Sequence, residues 1–356
     1  MADITASMVK ELREATGAGM MECKKALTQT DGNFDEAIEI LRKSGAAKVE
    51  KKASRIAAEG IAKVAVAGNT AVVVEVNSET DFVAKNETFQ SFVQAVADKA
   101  LTVDVEAAGD GEDLVTILGM KAELEEKTLT IGEKLSIRRF QKVTGDTVAS
   151  YIHGGGRIGV LVAANGASDD AAKEALTNVA MQIAAMNPTY ISRNDISADE
   201  LAKLREITID SSLSDPATLP KALLNGLIEK AYNTVWSAED KAAYDEHKTN
   251  MQYLFNFLSK EAKAQVVEIA MAEKATIVAD KIFSGMAEGR ISKQLKEICL
   301  LDQTYVKAED GKQTVAQYLA AVNKALVITK AVRFEVGEGL EKKNEDFAAE
   351  VAAQLG

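Results

Sequence analysis

Gly154-Gly155-Gly156-Arg157-Ile158-Gly159 satisfies G-x-G-x-x-G, the spacing with which a glycine-rich turn lays backbone amides against a pyrophosphate. That chemistry needs the glycines to open a helix whose N-terminus meets the phosphates. Here Ile158-Gly159-Val160-Leu161-Val162 continues as a strand-forming run, so the glycines read as a hairpin turn. His153-Gly154-Gly155-Gly156 resembles an esterase oxyanion loop, yet no G-x-S-x-G elbow supplies a nucleophile. Cys23 and Cys299 stand far apart with no Cys-x-x-Cys and read as small buried apolar groups. No carboxylate pair or His/Cys/Asp cluster has metal-ligand spacing, His247 carries no assignable role, and no catalytic residue, cofactor or metal is expected.

The remaining constellation is Thr80-Asp81-Phe82-Val83-Ala84-Lys85, a polar loop that carries an aromatic side chain. The β-branched run Ala71-Val72-Val73-Val74-Glu75-Val76 predicts a strand, and Asn77-Ser78-Glu79 ends it with turn-forming residues. A helix is expected to start near Asn86 as N-cap, because Phe89, Phe92, Val93 and Val96 recur at helical spacing. The loop is therefore short and anchored at both ends. An apolar group held in such a loop suits a pocket on another protein, since little ordering entropy opposes binding. The competing reading folds Phe82 back on its own helix.

The elements around this loop predict an α+β protein. Ile4 to Lys43 reads as three short helices broken by Gly17-Ala18-Gly19 and Asp31-Gly32-Asn33, with Thr5 as first N-cap. Ser44 to Arg55 reads as a solvated helical linker. Two blocks then repeat one pattern of hairpin, loop and helix. Ile61–Val66 turns at Gly68-Asn69 into Ala71–Val76, and Thr147–Ile152 turns at the triple glycine into Ile158–Ala164. In the second block Leu176, Val179, Ile183 and Met186 share a helical face, and Leu135 to Arg139 is expected as a strand extending the second sheet. Most of the chain from Pro188 to Phe283 has helical period, with capping-box spacing at Ser197-Ala198-Asp199-Glu200, and reads as a projecting helical hairpin. The expected organisation is a three-helix module (1–43), a linker (44–55) and a first α+β subdomain (56–140). A second subdomain (141–195 and 284–356) is interrupted by a coiled-coil-like insertion (196–283).

Composition narrows the function. A chain of 356 residues, 27% charged and 47% hydrophobic, can bury a sizeable core. A net charge of -12 argues against a nucleic-acid binder, which needs clustered Lys and Arg against phosphates. No apolar stretch is long enough for a bilayer and no basic-then-apolar leader is present, so a cytoplasmic location is expected.

Further motifs stand in order along the chain: Val9 to Leu27 with Thr16-Gly17-Ala18-Gly19-Met20-Met21, Ile131-Gly132-Glu133-Lys134, and Tyr151-Ile152-His153-Gly154 with Arg157-Ile158-Gly159-Val160. Glu297-Ile298-Cys299-Leu300-Leu301-Asp302-Gln303 and Arg333-Phe334-Glu335-Val336-Gly337-Glu338-Gly339 complete the set. Together with Thr80–Val83 these resemble the elongation factor Ts family, over Met1 to about Tyr190 and from about Gly285 to the end. The resemblance implies a translation elongation factor that binds elongation factor Tu and promotes exchange of its guanine nucleotide. It implies that Thr80, Asp81, Phe82 and Val83 enter the partner's nucleotide-binding domain and disturb its magnesium site. Phe82 would act as wedge, and Asp81 would fix the loop or compete for nearby donors. Arg13, Met20 and Met21 match the family's N-terminal contact surface, although both methionines also fit a core. His153 either orders its own hairpin or belongs to the partner surface. The helical segment is longer than the family's coiled-coil protrusion and holds Trp236, Tyr253, Phe255 and Phe257, and Thr304-Tyr305 replaces a Pro-aromatic pair. Homo-oligomerisation stays open, as does a different class of function, a helical scaffold or adaptor that binds proteins without affecting nucleotide.

Overall fold

The computed structural model describes residues 4–16, 18–110, 112–249 and 251–341. Gly17 and the outermost residues of the first and last expected blocks lie outside them. Two compact units are present, one running to Asn187 and resuming at Ala316, the other Pro188–Val315. The architecture is α+β.

The first unit opens with α1 (Ala6–Thr16), α2 (Met20–Gln29) and α3 (Phe34–Lys52). Val9, Leu12, Cys23, Ala26, Leu27 and Ala37 form their small core. Thr5 Oγ1 accepts from Met8 N at 3.3 Å, and Asn33 Oδ1 accepts from Glu36 N at 3.3 Å, which satisfies orphan amides at two helix starts. The expected separate linker is continuous with α3. Alanine and lysine are strong helix formers, and from Ala46 to Lys52 they carry the helix on past Ser44 and Gly45.

β1 (Glu59–Ala67) and β2 (Thr70–Ser78) pair antiparallel through a two-residue turn, with Gly68 at φ +59°. After β2 come α4 (Asp81–Ala84), α5 (Glu87–Thr102), β3 (Ala107–Ala108), α6 (Leu114–Leu118), α7 (Lys121–Ile131) and β4 (Ser136–Thr144). The sheet order is β1-β2-β4-β3. The stretch Leu135–Arg139 therefore leads into and belongs to the first sheet, paired with β2, and does not extend the second sheet as expected. Its inward residues explain the choice: Leu135, Ile137 and Phe140 join Phe89, Phe92, Val93 and Val96 of α5 in one core.

The second sheet is β5 (Thr147–His153), β6 (Ile158–Asn165) and β7 (Val327–Glu335), in that order. α8 (Asp170–Met186) covers it with Leu176, Val179 and Ile183, while Met186 at its end is exposed. The remaining faces of the two sheets meet, with Ala71, Val73 and Val143 against Val148, Leu161, Ala163, Val332 and Phe334. One carboxylate is sealed into this unit. Glu75 is fully buried and accepts from Arg138 Nη1 at 3.1 Å, Arg139 Nε at 2.5 Å, Asn77 Nδ2 at 3.1 Å and Gly337 N at 2.8 Å.

The second unit contains α9 (Ala198–Ser214), α10 (Lys221–Thr234), α11 (Ala238–His247), α12 (Met251–Phe257), α13 (Lys260–Ala272), α14 (Lys274–Ala279) and α15 (Lys281–Ile298). A short helix, α16 (Val315–Val322), precedes β7. The expected hairpin is thus a group of shorter helices. Ser237, Ser259 and Asp280 each cap a new helix and divide the run. Leu213, Ile228, Trp236, Leu254, Val266 and Phe283 give it a core of its own, and Trp236 Nε1 donates to Ala262 O at 3.2 Å. Both bonds of the Ser197–Glu200 capping box are made, and Phe257 stacks on His247. Cys23 and Cys299 are both buried free thiols, and burial pushes the Cys299 thiol up from its ordinary value.

Glu75→Ala should destabilise the protein by about 1–3 kcal/mol, because it removes the buried acceptor of Asn77 Nδ2 and Gly337 N, while Asp110 and Glu338 still pair with Arg138 and Arg139. Denaturant unfolding of the two proteins checks this.

Candidate functional site

β2 delivers the chain into the Thr80–Lys85 segment without a flexible joint. Ser78 Oγ donates to Thr80 O at 3.0 Å. Thr80 is the N-cap of α4, its Oγ1 accepting from Val83 N at 3.4 Å. At the far end Asn86 N donates to Val83 O at 2.9 Å, and Asn86 Oδ1 accepts from Thr88 N and Phe89 N at 2.9 and 3.2 Å to start α5. The expected loop is thus a single helical turn between a strand and a capped helix.

The helical turn sorts its side chains. Val83 points inward and joins the core of the first sheet. Phe82 points outward and is 78% exposed, so the reading in which it folds back on its own helix is set aside. Lys85 Nζ lies 5.9 Å from the centre of the Phe82 ring. It also donates to Asp81 Oδ2 at 2.7 Å, and that bond holds the Asp81 carboxyl below its ordinary range. A lowered carboxyl pKa means that the contact is complete above the ordinary value and is lost as pH falls through the folded value. Asp81 is therefore an anion throughout the neutral range.

Sequence reasoning missed two carboxylates behind this turn. Glu133 Oε2 accepts from both Glu79 N and Thr80 N at 3.0 Å, and Glu133 Oε1 accepts from Thr80 Oγ1 at 2.6 Å. Glu79 Oε1 accepts from Lys134 N at 2.5 Å and pairs with Arg55 Nη1 at 3.1 Å. Ile131-Gly132-Glu133-Lys134 stood out as a motif, but its role needs tertiary structure. Gly132 ends α7 in the left-handed region at φ +90°, and the reversal presents Glu133 to the chain leaving β2.

The other candidate residues lie on separate elements. Arg13 is exposed on α1; Met20 and Met21 begin α2 and are 59% and 75% exposed, which removes the core alternative for both methionines. His153 ends β5 and is exposed, with Nδ1 3.0 Å from Tyr151 OH. The triple glycine is a hairpin turn, with all three residues at positive φ and His153 opposite Ile158. Gly156 sits tightly on β1: its carbonyl accepts from Ala62 N at 2.7 Å, and a Cβ there would lie 2.5 Å from Ile61 Cγ2.

A family model described as elongation factor TS matches residues 79–275 and 256–338. Over an alignment of 369 positions the chain is 42% identical to elongation factor Ts of Clostridioides difficile (strain 630), with all of both chains covered. The chain belongs to the elongation factor Ts family. It is accordingly a translation elongation factor of protein biosynthesis. In this elongation factor the family match begins at Glu79, one residue ahead of the turn that exposes Phe82. Among the described residues no helix is long and apolar enough to cross a membrane.

Adjacent substitutions should separate surface from core. Phe82→Ala should leave unfolding free energy within about 0.5 kcal/mol of the unmodified protein. Val83→Ala should cost about 2 kcal/mol, the loss of two buried methyl groups. Thermal or denaturant unfolding of both variants checks the contrast.

Proposed function

We propose that this chain binds elongation factor Tu and promotes release of GDP, acting as a guanine-nucleotide exchange factor and not as an enzyme. The observation that carries the reading is a rigid, outward-facing Phe82 on a helical turn pinned at both ends. Nothing covalent is made or broken in such exchange. A partner that prefers the nucleotide-free state weakens nucleotide binding by the factor by which nucleotide weakens the partner. The vulnerable point is magnesium, which holds phosphate and protein oxygens in strict octahedral geometry, so a small displacement around it costs much affinity. Phe82 supplies the wedge, with Thr80 and Val83 fixing its base. Asp81, an exposed anion, acts near the displaced cation's partners. Arg13, Met20, Met21 and His153 extend the contact surface, methionine being suited to adaptable apolar interfaces. Under this reading the protein works in the cytoplasm, contacts no nucleic acid directly and carries no cofactor.

Release of labelled GDP from elongation factor Tu, with and without the protein, tests the proposal. Phe82→Ala should lower the accelerated rate roughly thirtyfold, since a buried aromatic anchor cut to alanine costs about 2 kcal/mol. Asp81→Ala should cost more than Lys85→Ala, because an exposed pair of this kind contributes little by itself. A stable complex with unchanged GDP release would instead identify a scaffold or adaptor.

A further inference from the structure

We propose that Glu133 is the positioning residue of the exchange turn, an inference that rests on the exchange reading above. Its carboxylate accepts three hydrogen bonds, all from the consecutive residues Glu79 and Thr80. These bonds fix the peptide planes entering α4, and so the direction in which Phe82 leaves the backbone two residues later. One helical turn cannot hold that direction alone, because helix nucleation is unfavourable. The C-terminal end of the turn is held by burial of Val83 and by the Asn86 cap. The N-terminal end is tied to the strand by Ser78 Oγ on Thr80 O and to the rest of the first unit by Glu133. Without it the segment can pivot about Val83, and the ordering cost returns when Phe82 is inserted.

The geometry around Glu133 is reciprocal. Glu79 N donates to the Glu133 carboxylate while Lys134 N donates to the Glu79 carboxylate. Lys134 Nζ donates to Ala53 O and Arg55 O at 2.7 and 2.8 Å, and Arg55 returns to Glu79. The Glu133–Lys134 turn thus binds both the exchange segment and the stretch that follows α3. Charge-assisted bonds of this kind are the stronger class, and a network in which each member has two partners resists displacement as a unit. Glu133 itself touches no nucleotide. Its part is to keep Phe82 aimed before the partner arrives.

The test is a double-substitution cycle on the full chain, with fluorescent GDP released from elongation factor Tu and the rate followed to saturation. Glu133→Ala should lower the maximum release rate about tenfold, while the half-saturating concentration moves less than about threefold. In a Phe82→Ala background the same substitution should change the rate less than about twofold, because both residues act through one side chain. Glu133→Gln keeps an acceptor oxygen for the two amides and should recover part of the rate. Should Glu133→Ala fail to fold, Thr80→Val removes the 2.6 Å bond from the other side, together with the 3.4 Å cap bond from Val83 N, and enters the same cycle. An unimpaired Glu133→Ala protein overturns the inference, as does an equal loss in both backgrounds. Failure of the unmodified chain to accelerate release removes the exchange reading and takes this inference with it.

Discussion

The structure of the first unit depends on one strand that is buried on both sides. Val72, Val74 and Val76 of β2 lie beneath α5, and Ala71 and Val73 face the second sheet. Alternation along a strand normally divides an apolar face from a wet one. Here both faces are apolar, so β2 cannot slip in register without moving methyl groups out of two cores. Everything attached to its ends inherits that rigidity. The Thr80–Lys85 segment begins two residues beyond Ser78, the last residue of the strand, and its stiffness starts as a packing property of β2.

Glu75 interrupts this apolar strand on the face turned to the second sheet. A buried ion pair adds little net stability compared with an apolar replacement, but leaving one partner alone is severe. Its effect is to select partners. Arg138 and Arg139 must both arrive from β4, and the turn after β7 must bring Gly337 N. Gly337 has φ +75°, and a Cβ there would meet Ala58 O at 2.3 Å. Arg139 also stacks over Phe334, 4.2 Å from the ring centre, and donates to Glu335 O. The second sheet's last strand is thereby registered against the first by a charge that tolerates few other arrangements.

Local patterns were legible where local physics decides. The two hairpins, the Asn86 cap, the Ser197 capping box and the identity of the triple glycine all follow from turn chemistry and periodicity. The position of Leu135–Arg139 was not legible, because alternation says that a strand has two faces and not which sheet it joins; Phe140 and Ile137 packing under α5 decides that. The segment read as one hairpin is divided by serine and aspartate caps whose strength is visible only once each helix has a core to pack on. At the candidate site the polar neighbours and the short anchored loop left two readings of Phe82 open, and its 78% exposure decides between them. Glu133 was not legible, since its partners Glu79 and Thr80 are more than fifty residues away in sequence and no spacing rule links them.

An exposed rigid aromatic group carries a liability as well as a use. Apolar surface that is free to associate promotes non-specific contact when it grows into a patch. Here the ring stands singly, with Val83 turned inward, Asp81 and Lys85 charged on either side, and the lysine ammonium near the ring. The Asp81–Lys85 pair, exposed on both sides, adds little to folding stability. It surrounds Phe82 with hydrated charge that a merely greasy surface cannot desolvate without loss. Polar clamping behind the turn and charged flanks in front of it are two halves of one arrangement, a single apolar side chain held outward among hydrated charges and costly to bury against an unmatched surface.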